Sequence, residues 1–144
     1  MTDDTLDSRI TRNNLRVRGF HLDVYDHVNN ARYLEFLEEG RWAYFDEHLG
    51  DADTLRKGVA MVAVNLNINY RQGAVLGDDL EVHTMLSRIS GRSAVMHQTI
   101  HRVRDGAPVV DADLTFVLLD MQTQKPLPIE GAFLETFEPL LVSR

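Results

Sequence analysis

The sequence predicts an α+β domain in which one antiparallel sheet of five strands wraps around a single long helix. Three observations predict it. From Val62 to Tyr70, apolar side chains fall on every second position and alternate with Ala63, Asn65, Asn67 and Asn69, the period of a strand with one buried face. From Ala31 to Leu49, Tyr33, Leu34, Leu37, Arg41, Tyr44, Phe45 and His48 recur at helical spacing, and Phe36 and Trp42 widen the apolar surface beyond one stripe, as expected of a helix enclosed by a sheet. Turn signals at Gly77-Asp78-Asp79, Ser90-Gly91 and Asp105-Gly106 then divide the chain into long strand-like runs.

In order, Leu15 to Asp23 reads as the first strand and Val24 to Asn30 as a turn-rich connection. Asn29 or Asn30 is a natural N-cap for the helix, because a side-chain amide oxygen can accept from a free backbone N–H; Gly50 is the expected stop. Strands follow over 62–70, 80–89, 92–104 and 108–120. Gln122 to Lys125 forms a terminal turn, Pro126 and Pro128 bar further central pairing, and 131–141 is a short terminal helix. Residues 1–12 are expected to be a disordered polar tail and 13–144 a single domain. A half-barrel of this kind has edges and a sheet face to cover, which association of protomers accomplishes.

The chain has 144 residues, a net charge of −7 and a pI near 5.2. That size suits one domain with a real core. The acidic balance argues against binding nucleic acid, which needs a basic field, but leaves room for a local basic pocket. With no cysteine, disulfides, thiolate catalysis and cysteine-ligated zinc are excluded. No apolar run is long enough to span a membrane, and the acidic start lacks the features of a signal peptide. The expected location is the cytoplasm.

Chemistry concentrates in Phe20-His21-Leu22-Asp23-Val24-Tyr25-Asp26-His27-Val28-Asn29-Asn30. A helix N-terminus offers free N–H groups and positive potential, which can hold a developing oxyanion. A carboxylate beside it can serve as general base or nucleophile. Together these suffice for acyl transfer to water without a cofactor or metal. The pattern Asp-x-x-x-His-Val-Asn-Asn-x-x-Tyr, carried by Asp23, His27, Val28, Asn29, Asn30 and Tyr33, resembles the active-site signature of the 4-hydroxybenzoyl-CoA thioesterase superfamily. The stretches Val17–Trp42, Val64–Arg71 and Leu114–Val117 are similar to its bacterial long-chain acyl-CoA thioesterases of the FadM type. The resemblance covers about residues 15 to 135 and implies the hotdog fold, hydrolysis of acyl-CoA, and dimers or tetramers with sites between protomers. It places Asp23 on the acidic catalytic position and the oxyanion donor on a backbone N–H near Asn30. Many members carry Gly just before the His, where this chain has Asp26. Gly there implies a left-handed backbone position, which Asp tolerates better than most residues.

His27 is assigned to orienting the site or the substrate, and His21 to structure. Asp26 reads as a solvent-facing turn residue. Tyr33 is a candidate substrate contact, although a tyrosine at such a position is more often helix packing. Gly40 could admit a substrate chain or close helix–sheet packing. Because CoA carries phosphates, Arg71, Arg88 and Arg92 are candidates to line its entrance, Arg92 first. The histidines lack metal-ligand spacing. The activity implied is hydrolysis of medium- to long-chain acyl-CoA. The alternative is a non-catalytic acyl-CoA or acyl-carrier-protein binding module on the same fold.

Overall fold

The computed structural model describes residues 7–50 and 58–142. Its elements are β1 (Thr11–Arg16), α1 (Asn30–Tyr44) extended by a π-helical turn over Phe45–Leu49, β2 (Val59–Tyr70), β3 (Asp79–Ile89), β4 (Ser93–Arg102), β5 (Pro108–Asp120), β6 (Pro126–Leu127) and α2 (Ala132–Phe137). The sheet order is β1-β3-β4-β5-β2, all neighbours antiparallel, with the two-residue β6 pairing β5 where β4 has ended. This is the hotdog arrangement, a curved sheet around one helix. Among the described residues no helix is long and apolar enough to cross a membrane.

Strands β3, β4 and β5 alternate buried and half-buried positions along nearly their whole length, because one face meets the helix. The helix turns Tyr33, Phe36, Leu37, Gly40 and Tyr44 inward and packs on β1, β3 and β4. Gly40 permits this approach. A Cβ there would lie 2.7 Å from Val82 Cγ1 and 2.9 Å from both Gln98 Nε2 and Thr84 Oγ1. Of the two roles expected for Gly40, the geometry selects helix–sheet packing. The fully buried Gln98 donates to the Leu37 carbonyl (2.8 Å) and to Thr84 Oγ1 (2.9 Å), and accepts from Arg41 Nη1 (3.1 Å). Helix and sheet are therefore joined by a polar tie between two apolar clusters, one around Leu37 and Val82, the other around Tyr44 and Phe116.

Several expectations need correction. The first strand is Thr11–Arg16 rather than Leu15–Asp23. It ends where Val17 turns to exchange backbone hydrogen bonds with Gly77 and Asp78 (3.0 and 2.9 Å), after which Gly19–His21 closes a 3-10 turn. Residues 7–12 are not a loose tail: Ile10 and Thr11 are buried, and Arg9 Nη1 donates to the Leu141 carbonyl at 2.7 Å. Residues 1–6 lie outside the described residues. The alternation expected in β2 is interrupted by a bulge at Val64, which separates the pairs Ala63–Phe116 and Asn65–Thr115 and shifts the phase. Val64, Leu66 and Tyr70 are exposed because β2 is the sheet edge and α1 packs mainly on β1, β3 and β4. Pro126 takes part only in the two-residue β6, off the main strand path, so no further central strand follows. The helical run does stop at Gly50, which is the C-cap after Leu49 although its own φ of −59° is right-handed; residues 51–57 lie outside the described residues. The terminal helix is shorter than expected, and Glu138–Leu140 continues it as a 3-10 turn.

Candidate active site

The connection into α1 is held by its own backbone. Leu22 and Val28 form an antiparallel bridge. The N–H of Asp23 donates to the His27 carbonyl (2.9 Å), that of Asp26 to the Asp23 carbonyl (3.1 Å), and that of Asn29 to the His21 carbonyl (2.9 Å). Asp26 has φ 62°, the left-handed conformation the signature calls for. The N–H of Tyr25 donates to Asp23 Oδ1 at 2.8 Å. One carboxylate oxygen thus closes the turn and orients the group, while Oδ2 is available for chemistry. His27 Nδ1 lies 2.9 Å from the Tyr25 carbonyl. A carbonyl only accepts, so Nδ1 is the donor in this bond.

Asn29, rather than Asn30, is the N-cap: its side-chain oxygen accepts from the Ala31 N–H at 2.9 Å. Asn30 is the first helical residue, and its N–H precedes the intrahelical ladder. That donor stands at the positive end of a helix of 15 residues.

Asp23, His27, Asn30, Tyr33 and Arg71 line one cavity of about 310 Å³, together with Tyr70, Gln72 and Gly73. Tyr33 is buried, and its hydroxyl accepts from the Ala74 N–H at 3.1 Å. Burial raises its pKa, so it stands as a neutral post between helix and the 71–74 segment. Arg71 Nε donates to Asp111 Oδ2 at 2.7 Å, and Asn69 Nδ2 to Asp111 Oδ1 at 2.9 Å. The hydrogen bond to Asp111 raises the Arg71 pKa and fixes the guanidinium at the cavity wall. Tyr70, Gln72 and Gly73 were not singled out from the sequence. A signal was present at Gly73, three residues past the end of β2, since Gly can mark close backbone approach: a Cβ there would lie 2.8 Å from His27 Cδ2.

His21 is structural, as expected. Its Nδ1 accepts from the Arg18 N–H at 2.8 Å and its ring meets Phe36 edge-on. Burial, then the field of Arg32, lowers its pKa. Arg88 and Arg92 are not brought to Asp23 within the chain. They flank the β3–β4 turn, where Ser93 pairs Val117 and Val117 pairs Val62. The site lies at the Tyr70 end of the sheet, eight residues or about 27 Å away along β2. Sequence position at a turn says nothing about which end of the sheet that turn occupies.

A carboxylate and a free helix N-terminal N–H on one cavity wall can activate water and hold the oxyanion of an attacked carbonyl. Residues 17–137 match the model of the thioesterase-like superfamily. The chain belongs to that superfamily. Its sequence is 46% identical over 131 residues to the long-chain acyl-CoA thioesterase FadM of Escherichia coli, covering 88% of this chain and 96% of the relative. It is 28% identical to the putative acyl-CoA thioesterase YneP of Bacillus subtilis over 86% of this chain and 90% of the relative. Among solved structures, the YbaW probable thioesterase of Escherichia coli superposes with a TM-score of 0.80 at 44% identity, covering 91% of this chain and 98% of that one. The 12:0-ACP thioesterase of Umbellularia californica superposes at 0.86 but at 12% identity, covering 94% of this chain and 55% of that one, a likeness of fold alone.

Proposed function

We propose that this thioesterase hydrolyses medium- to long-chain fatty acyl-CoA to free fatty acid and CoA, and that Asp23 and the Asn30 backbone N–H carry the reaction. The observation that supports it most is the pairing of Asp23 with the α1 N-terminus on a single cavity. In this reading the thioester carbonyl oxygen takes the Asn30 N–H. Asp23 Oδ2 removes a proton from water as that water attacks the carbonyl carbon; the tetrahedral intermediate collapses with cleavage of C–S, and the proton held by Asp23 passes to the departing thiolate. In the alternative, Asp23 Oδ2 attacks the carbonyl carbon, C–S cleaves to give an acyl anhydride with Asp23 and CoA thiolate, and water then hydrolyses the anhydride, its proton going to the thiolate and the carboxylate being restored. His27 Nε2 and Tyr70 border the acyl group, and Arg71 is the cation placed to meet the CoA phosphates.

The test is thiol release from acyl-CoA. Asp23→Asn keeps the turn acceptor, so it should fold normally and lose about a hundredfold to a thousandfold in kcat. Undiminished turnover in that variant would remove Asp23 from the mechanism. Saturable binding of acyl-CoA by the wild type without any thiol release would make the domain a binding module.

The proposal includes a homodimer or homotetramer in the cytoplasm. The outer edge of β2 has no partner strand among the described residues and carries neither proline nor lysine, the usual guards of a free edge. Antiparallel pairing of β2 with its counterpart in a second copy would cover that edge and place the open Asp23 cavity, at the Tyr70 end, against the neighbouring protomer.

A further inference from the structure

Arg102, the last residue of β4, has a side chain only 13% exposed and clamps two residues that line the Asp23 cavity. Its Nη1 donates to the Gly73 carbonyl (2.8 Å) and its Nη2 to Gln72 Oε1 (2.7 Å). Asp105 braces the guanidinium, accepting from Nε at 3.2 Å and from Nη2 at 2.8 Å. The hydrogen bond from Arg102 lowers the Asp105 pKa, so the brace is charged at neutral pH. The clamped segment is tied in turn to the Asp23 connection and to α1. The Val28 N–H donates to the Ala74 carbonyl (3.0 Å), and the Ala74 N–H to the Tyr33 hydroxyl (3.1 Å).

The clamp fixes the orientation of Gln72 as well as its place. A guanidinium only donates, so the Gln72 amide must face it with its oxygen. The planar amide then turns its nitrogen, with two N–H donors, away from Arg102. Gln72 is exposed and shares the cavity with Asp23 and Asn30, and among the described residues its Nε2 has no acceptor. A donor held in place by a buried ion pair loses little freedom when it meets a ligand. The hydrolysis reading puts the thioester carbonyl on the Asn30 N–H and the CoA phosphates at Arg71, the residue before Gln72. The pantetheine arm joins those two groups. Its first amide lies two methylenes beyond the sulfur, and that carbonyl needs a donor once it leaves water.

We propose that Gln72, its amide fixed by Arg102, donates from Nε2 to the first amide carbonyl of the pantetheine arm, and so selects acyl-CoA over thioesters of plain alkyl thiols. This rests on the hydrolysis reading of the Asp23 site. Gln72 is a substrate contact, and Arg102 acts through it as a positioning residue.

Two thioesters of equal length isolate the contact. S-Dodecanoyl-N-acetylcysteamine carries the first amide, and S-pentyl dodecanethioate has methylenes in its place. The readout is the ratio of their kcat/KM values in thiol release, from which any general loss of folding or catalysis cancels. Gln72→Glu keeps an oxygen for Arg102 and removes both donors, so the ratio should fall about threefold to tenfold. Arg102→Ala frees the amide to turn and should lower the ratio too. Added to Gln72→Glu, it should lower the ratio no further, because the two act on one contact. An unchanged ratio in Gln72→Glu, whether both substrates slow together or neither does, would overturn the proposal. A further fall in the double variant would overturn the part given to Arg102. If Arg102→Ala does not fold, Gln72→Glu decides alone. Failure of the hydrolysis reading appears separately, as absent thiol release from both esters. The ratio of dissociation constants of the two corresponding thioethers, measured by calorimetry, then tests Gln72 in the same way.

Discussion

Replacing Gly40 by alanine inverts what helix propensity alone would produce. In an open helix, Gly→Ala stabilises by about 1 kcal/mol. Here the new methyl carbon would meet Val82 Cγ1 at 2.7 Å, with Gln98 Nε2 and Thr84 Oγ1 at 2.9 Å. Carbon atoms settle at about 3.5–4.0 Å, so α1 must retreat by about 0.8 Å or the three side chains must leave their rotamers. Overpacking of this kind costs about 1–3 kcal/mol. A retreat of that size also stretches the 2.8 Å bond from Gln98 Nε2 to the Leu37 carbonyl beyond hydrogen-bonding range. An unsatisfied buried amide adds about 1–3 kcal/mol. With the propensity gain set against these costs, the net loss centres near 3 kcal/mol, or about 6–12 °C in Tm for a domain of this size. Urea unfolding and calorimetry of Gly40→Ala measure it. An unchanged or raised Tm would refute the close approach of helix and sheet at Gly40.

Three further outcomes are expected. Gly73→Ala places a Cβ 2.8 Å from His27 Cδ2, so it should displace that exposed ring and lower kcat/KM for thiol release about tenfold to a hundredfold with little change in Tm; unaltered kinetics would exclude His27 from the site. Arg71→Ala should raise KM for acyl-CoA and flatten its salt dependence while kcat holds, whereas an unchanged KM would place the phosphates elsewhere. For Asp78, burial pushes the carboxyl up, but the Arg104 ion pair (2.7 Å) and the Val75 N–H (3.0 Å) outweigh it and leave the pKa lowered. A lowered folded pKa stabilises above the ordinary aspartate value near 4, and that stability is lost as pH falls through the folded value. Asp78→Asn should therefore unfold at lower urea than wild type at pH 7, with the gap closing below about pH 4; a gap independent of pH would show that the charge is not what matters.

Much of this was legible in one dimension because the relevant physics is local. Helical periodicity places Tyr33, Leu37 and Tyr44 on the inward face of α1, though Leu34 and Trp42 of the same apolar set are exposed, and the turns at Ser90-Gly91 and Asp105-Gly106 fall where β3 gives way to β4 and β4 to β5. The left-handed Asp26 is likewise a property of one residue in one motif. Strand β1 was misplaced because Thr11-Arg12-Asn13-Asn14 has no apolar alternation; it is a strand only because β3 offers it a ladder. The β2 stripe misled for the opposite reason. Its alternation is real in the sequence, but the bulge at Val64 breaks the phase and the helix leans toward the other edge.

The same division holds within the site. The segment from Asp23 to Asn30 carries its geometry in its own order of residues, since a turn, a cap and a helix start are all short-range structures. Tyr70, Gln72 and Gly73 join it only because β2 ends beside the α1 N-terminus, and Arg88 and Arg92 are absent only because their turn lies at the other end of the sheet. The sequence by itself determined the fold class and the placing of Asp23 beside the start of α1. Tertiary structure decided what surrounds them and where a second, largely apolar cavity opens. Periodicity and turn chemistry act over a few residues, whereas sheet order and the lean of a helix arise from packing between segments tens of residues apart.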